Sequence, residues 1–227
     1  MAKAGSKRYT EALSKTPKDK LPLPEAVKAV LSLSATKFNA TIEFVIHLGI
    51  DPKQADQALR GSISLPHGIG ATRKVIAFCE EHDVDQAKAA GAIEAGGDEL
   101  IKKIQDGWVD FDVAVATPPM MKSVSKLGRV LGPQGKMPSP KAGTVNPDIG
   151  TAVTEYVAGK VEYRNDDGGN LHVPVGKADF EPEKLVDNIQ AFIDHVKHIR
   201  PTSTKGTYMK KACLSATMSP SVQIDLQ

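Results

Sequence analysis

Phe38, Ala40, Ile42, Phe44, Ile46 and Leu48 alternate with Asn39, Thr41, Glu43, Val45 and His47. A period of two puts the first set on one face of a β-strand and the second on the other. The apolar face can bury, and the polar face can meet solvent or a ligand. Upstream, Pro22 and Pro24 open a helical pattern in which Ala26, Val27, Val30 and Leu31 share a face. Glu183–Ile199 carries the strongest helical signal, with Leu185, Val186, Ile189, Phe192, Ile193 and Val196 as its apolar stripe. Lys160–Arg164 and Leu171–Val175 read as a hairpin across Asn165-Asp-Asp-Gly-Gly, a strong turn signal. Lys205–Thr217 and Ser221–Leu226 alternate as strands around Pro220.

The rhythm changes between about 70 and 159. Val75–Phe78 and Phe111–Ala116 read as apolar strands, and Gly91–Ile93 as a short one. Val84–Ala90, Asp98–Gln105, Met120–Leu131 and Ile149–Val157 read as helices. Short apolar strands alternating with helices indicate βαβ units and a parallel sheet. Neither flank holds enough strands for a covered sheet alone, whereas the middle is self-consistent. The expectation is therefore an α/β chain of two domains. Residues 1–68 and 160–227 form a split α+β domain, a β-sheet packed by helices, and residues 69–159 form an inserted βαβ, three-layer, Rossmann-like domain. Hinges fall near Leu65–Gly70 and Ala158–Lys160, where Gly68, Gly70 and Gly159 give the backbone freedom.

Charge sharpens this picture. The net charge of +2 says little, but its distribution is uneven. Residues 80–112 hold ten acids against three bases, a segment best read as a solvated face. Residues 1–20 hold six bases against two acids and read as a basic arm or frayed helix. No acid occurs between Val113 and Pro147, yet Lys122, Lys126, Arg129, Lys136 and Lys141 do. Within that segment, Lys126–Thr144 combines glycines, prolines and spaced cations. This composition suits a polyanion, because glycine lets the backbone come close to phosphates. Aromatics make up only 5% of residues, too few for base stacking to be the main binding device.

Other classes fail on spacing. Gly128, Gly132 and Gly135 do not make GxGxxG and follow a helix rather than a strand. Gly135-Lys136 ends like a phosphate loop, but Met137 stands where Ser or Thr is needed and Val130 replaces the earlier glycine. There is no HExxH and no GxSxG, so the rival reading of a small-ligand α/β enzyme has no support. His195 and His198 read as a solvated helix surface, and Asp166-Asp167 as turn residues. Cys79 and Cys213 show no metal spacing and fit a reducing compartment. No signal peptide or membrane span is expected. On the Phe38–Leu48 strand, Lys37, Thr41 and Glu43 offer a cation, a hydroxyl and an acceptor suited to ribose and phosphate, although taken alone the residues read more simply as a solvated sheet face. Ser215, Thr217 and Ser219 form a second hydroxyl row beside Met218, either a surface for an RNA minor groove or an ordinary polar strand end.

At these residues the chain resembles the bacterial large-subunit ribosomal protein-one family, which builds the mobile stalk beside the exit site. The resemblance spans nearly the whole chain through Lys37-Phe-Asn-Ala-Thr-Ile-Glu43, Leu65-Pro-His-Gly68, Asp106-Gly-Trp-Val-Asp-Phe-Asp112, Gly132–Thr144, Pro174-Val-Gly-Lys177 and Thr217-Met-Ser-Pro220. It implies a split domain that binds 23S rRNA through Lys37, Phe38, Thr41, Glu43, His172, Lys177, Ser215, Thr217, Met218 and Ser219. It implies a second domain whose loop, with Lys126, Arg129, Gly132, Gly135, Lys136 and Lys141, lies near departing deacylated tRNA. It further implies repression of the protein's own operon mRNA at a similar fold, and a cytoplasmic ribosomal protein that is a monomer when free. No catalysis, cofactor, metal or membrane is expected. Ser219 stands where the family usually has Gly, and Gln134, Lys136 and Ser139 stand where Arg, Leu and Asn are frequent. A repressor acting only on messenger RNA is the second rival, and it would use the same surface.

Overall fold

The structure is a computed structural model that describes residues 6–34 and 36–226. In chain order the helices and strands are α1 (Lys7–Lys15), α2 (Leu23–Leu33), β1 (Thr41–Leu48), β2 (Arg60–Ile63), β3 (Val75–Phe78), α3 (Val84–Ala89), β4 (Glu94–Gly96) and α4 (Asp98–Gln105). They continue as β5 (Val113–Ala116), α5 (Met121–Val124), α6 (Gly128–Leu131), α7 (Ile149–Val157), β6 (Val161–Arg164), β7 (Asn170–Lys177), α8 (Pro182–His198), β8 (Met209–Ala216) and β9 (Val222–Ile224). The chain divides into two compact units, one of Met1–Gly70 with Tyr163–Gln227, the other of Ala71–Glu162.

The split unit is built on an antiparallel sheet in the order β7-β1-β8-β9. Ile42, Phe44, Ile46 and Leu48 bury on one face with Leu171, Val173, Leu214 and Val222. Helices α2 and α8 cover that face. Helix α8 contributes Leu185, Ile189, Phe192, Ile193 and Val196, each burial worth about 1.5–3 kcal/mol. Pro182 starts the helix, and Lys197 in its last turn complements its dipole. In α2 the structure buries Leu33 and leaves Leu31 half-buried, so the inward stripe sits slightly off the one read from sequence.

Strand pairing departs from the expected hairpin. The turn at 165–169 forms, but β6 lies in a two-stranded sheet with β2 while β7 pairs with β1. Strand β2, a short segment with a central glycine, had no legible alternation. The pairing of β1 with β7 also slips by one residue between Ile42 and Glu43, leaving Val175 as a bulge. Strict alternation from Leu171 would turn Lys177 inward. The bulge resets the parity and brings Lys177 out opposite Thr41.

In the inserted unit a parallel sheet runs β4-β3-β5. Val75, Ala77, Val113 and Val115 pack against α3 and α7 on one side. Ile76, Phe78, Ala114 and Ala116 pack against Leu100, Ile101, Ile104, Val124, Leu127 and Leu131 on the other. Both faces of the sheet are thus covered, giving three layers. The expected strand at 91–93 lies three residues later, as β4. The expected helix over 120–131 is broken into α5, a 3-10 turn at Ser125–Leu127, and α6. Helix α7 spans Ile149–Val157 as read, and the Asp148 side chain caps it by accepting from the Thr151 N–H at 3.2 Å. The basic stretch at 1–20 contains a formed helix, α1, and residues 1–5 lie outside the described residues.

Candidate nucleic-acid interface

Neither α2 nor α8 covers the second face of the split unit's sheet. On it Glu43 stands opposite Pro174 on one side and Ser215 on the other. Val45 stands opposite His172 and Cys213, and His47 opposite Asn170 and Lys211. Neighbouring strands lie about 4.8 Å apart, so His172, Glu43 and Ser215 share a patch two strand spacings wide. Glu43 and His172 are exposed and Ser215 half-buried. Asp166 organises the turn beside His172: it accepts from the Gly168 N–H at 2.9 Å, the Asn170 N–H at 2.7 Å and the Asn170 Nδ2 at 2.8 Å. The Asn170 side-chain bond, above the other causes, lowers the Asp166 pKa. His172 Nε2 lies 3.7 Å from the same carboxylate.

One end of the sheet is tied together more tightly. The Lys177 Nζ donates to Thr41 Oγ1 at 2.8 Å. The Thr217 hydroxyl accepts from the Thr41 N–H and donates to the Thr41 carbonyl, and the Thr217 N–H also donates to that carbonyl at 3.0 Å. Ala216–Ser219 closes as a turn through Ser219 N–H to Ala216 O at 2.9 Å. Met218 in this turn has φ 64°, the only positive value on a non-glycine residue among those described. A side chain there costs about 1–2 kcal/mol. The Ser219 hydroxyl donates to the Leu33 carbonyl at 3.2 Å, so its extra atoms are absorbed by the C-terminus of α2. Phe38 and Met218, 52% and 66% exposed, project at this same end. Lys37 is also exposed.

This arrangement offers a rigid row of hydroxyls and backbone groups, one engaged ammonium, one carboxylate and two apolar tips. Such a set suits recognition of nucleic-acid shape and sugar hydroxyls rather than a purely ionic grip. The backbone ties fix the row before any partner arrives, which lowers the ordering cost of binding.

The six loop residues of the inserted unit divide in two. Lys126, Arg129, Lys141, Gly132 and Gly135 are exposed. Lys136 is half-buried: its Nζ donates to the Val109 carbonyl at 3.0 Å and lies 5.0 Å from the centre of the Phe111 ring. It therefore anchors the loop to the preceding segment. Thr144 Oγ1 accepts from the Ser139 N–H at 2.8 Å, and the Tyr156 hydroxyl donates to the Ala142 carbonyl at 2.7 Å. The loop is a folded platform with three outward cations.

Sequence reasoning missed two supporting residues. Asn188, fully buried in α8, donates to the Gly68 and Val175 carbonyls at 2.9 and 2.8 Å and accepts from the His67 N–H at 3.1 Å. Its signal was a polar residue falling within an apolar helix stripe. Tyr163, 5% exposed, makes a 2.8 Å hydrogen bond with His195 Nε2, so His195 is not the solvated surface group expected. Cys79 and Cys213 are free thiols. Among the described residues no three His, Cys, Asp or Glu are grouped to hold a metal, and no helix is long and apolar enough to cross a membrane.

Comparison with known proteins adds to this geometry. The profile of the ribosomal protein L1p/L10e family matches residues 30–220. A protein of Lactobacillus johnsonii, named large ribosomal subunit protein uL1, is 50% identical over 226 residues, covering 99% of this chain and 98% of its own. Proteins of the same name from Beutenbergia cavernae and Solidesulfovibrio magneticus are 49% and 48% identical, covering 98% and 100% of this chain and 94% and 97% of their own.

Proposed function

The chain belongs to the ribosomal protein L1p/L10e family, and on that premise we propose that it is a structural, non-enzymatic constituent of the large ribosomal subunit that binds 23S rRNA to form the mobile stalk near the exit site. The split unit docks on a junction in that RNA. Phe38, Thr41, Glu43, His172, Lys177, Ser215, Thr217 and Met218 form its contact face, with Lys37 at the rim, while Ser219 shapes the turn through Leu33. The observation that carries this reading is the pre-tied sheet end, where Thr41 is held by both Lys177 and Thr217 and flanked by exposed Phe38 and Met218. Specificity comes from shape and 2′-hydroxyls, and part of the affinity from neutralised phosphates.

The inserted unit moves as a body about the glycine-bearing crossings and presents Lys126, Arg129 and Lys141 to deacylated tRNA as it leaves. Gly132 and Gly135 keep the loop's backbone open to phosphates. The same contact face binds the leader of the protein's own mRNA and represses its translation. The free protein is a monomer.

Sedimentation tests the structural role. In gradients of cell extract the chain is expected with large subunits and intact ribosomes, and its Thr217→Ala variant is expected to be depleted there. A chain found only with messenger RNA, absent from large subunits, would support the repressor-only alternative instead.

A further inference from the structure

Helix α1 is a folded element with no evident structural purpose. None of its residues is buried, and all but Ala12 are exposed. Its folding is encoded locally. The Ser6 hydroxyl caps it by accepting from the Tyr9 N–H at 3.3 Å, and Lys15 Nζ pairs with Glu11 Oε1 at 2.8 Å. Nine residues are nonetheless too few for a stable helix in water without packing.

The charges of its first turn are placed against its own stability. The first turn contains no acid. Lys7 and Arg8 sit instead at the positive end of the dipole, where a cation is unfavourable and an anion is welcome. At 3.6 residues per turn, Lys7, Arg8 and Lys15 fall within about 100° of arc. Glu11 lies in the same arc but is spent on Lys15. The result is a stripe that is basic on balance, three cations to one carboxylate, with Glu11 inside it.

The root of this arm is fixed. Leu21 pairs with β9, its N–H donating to the Gln223 carbonyl at 3.1 Å and its carbonyl accepting from the Asp225 N–H at 2.9 Å. Helix α2 then runs from Leu23 to Leu33, whose carbonyl receives the Ser219 hydroxyl of the recognition turn. The arm's root and that turn are therefore separated by one helix of eleven residues, about 16 Å. The five residues between α1 and Leu21 can span up to about 17 Å. Near full extension, this linker is long enough to carry the basic stripe to a polyanion seated on the turn.

We propose that α1 is an accessory RNA clamp: its Lys7–Arg8–Lys15 stripe grips the phosphate backbone of the RNA bound by the split unit's sheet, adding affinity that carries no sequence information. This inference rests on the rRNA reading above.

The test uses the full chain and a triple variant, Lys7→Gln, Arg8→Gln and Lys15→Gln. Glutamine keeps helix propensity, and α1 buries nothing, so the thermal midpoint stays unchanged. Binding to the stalk-junction fragment of large-subunit rRNA is measured across a salt series. Loss of three phosphate contacts is expected to flatten the log–log salt dependence by about 2, so the variant's deficit is about 15-fold larger at 50 mM than at 200 mM salt. Amide exchange in wild-type α1 is expected to slow on RNA binding. If the wild type binds but slope and exchange do not change, the clamp is refuted. If the wild type does not bind this RNA at all, the rRNA reading falls, and the clamp with it.

Discussion

The Thr217 hydroxyl is bonded twice to the backbone of Thr41, accepting from its N–H and donating to its carbonyl, each at 3.2 Å. The two bonds fix the turn that presents Met218. Each such bond contributes about 0.5–1.5 kcal/mol. Thr217→Ala is expected to weaken binding to the rRNA fragment about tenfold or more, whereas Thr217→Ser, which keeps the hydroxyl, restores most of it. Isothermal titration reads the difference. Equal affinity for all three proteins would remove this end of the sheet from the interface.

Asn188 satisfies three backbone groups at once, on the Leu65–Gly68 segment and on β7. Asn188→Ala leaves buried donors and acceptors unpaired and opens a small void. Destabilisation of about 2–4 kcal/mol is expected from urea unfolding followed by a probe in the split unit. A change within about 0.5 kcal/mol would mean that water replaces the amide.

Burial, with a smaller contribution from His198, holds the His195 pKa below the ordinary histidine value of about 6.5. The fold therefore prefers neutral His195, and the unfolded chain takes the proton first. The stabilisation is present above pH about 6.5 and is lost as pH falls through the lowered folded value. Between pH 7.5 and 5.5 the urea midpoint of the wild type is expected to drop. His195→Gln, which can still bond Tyr163, is expected to show a shallower decline. Parallel declines would show that another group titrates.

Lys136 and Lys141 share a loop but not a role. Lys136→Ala removes the bond to Val109 and the ring contact with Phe111, and is expected to lower the thermal midpoint. Replacing exposed Lys126, Arg129 and Lys141 together by Ala is expected to leave the midpoint in place and weaken binding to deacylated tRNA. The opposite pattern would make Lys136 the phosphate-facing residue.

The strongly periodic elements were the legible ones. The alternation from Ala40 to Leu48 gave β1, which starts at Thr41, and the Leu185–Val196 stripe gave α8, because each period matches one buried face; Phe38, expected on that face, lies before the strand and is exposed. What failed was set by long-range pairing. Strands β6 and β7 flank a good turn, yet the turn alone does not decide which neighbour each strand takes. The Val175 bulge, which turns Lys177 toward Thr41, has no local signature. Neither the bonds of Thr217 to a residue 176 positions away nor the inward bond of Ser219 to Leu33 could be read without the fold. The identities of the candidate contact residues came from motifs; their division into tips, ties and anchors came from geometry.

The most direct measurement is binding of the intact chain to the stalk-junction fragment of large-subunit rRNA, against an unrelated RNA of equal length, across a salt series. Tight, junction-selective binding that persists at high salt is the expected result, because a pre-tied row of hydroxyls reads shape. Weak binding, equal on both RNAs and steeply salt-dependent, would contradict shape recognition by the sheet end and leave only a nonspecific polyanion surface.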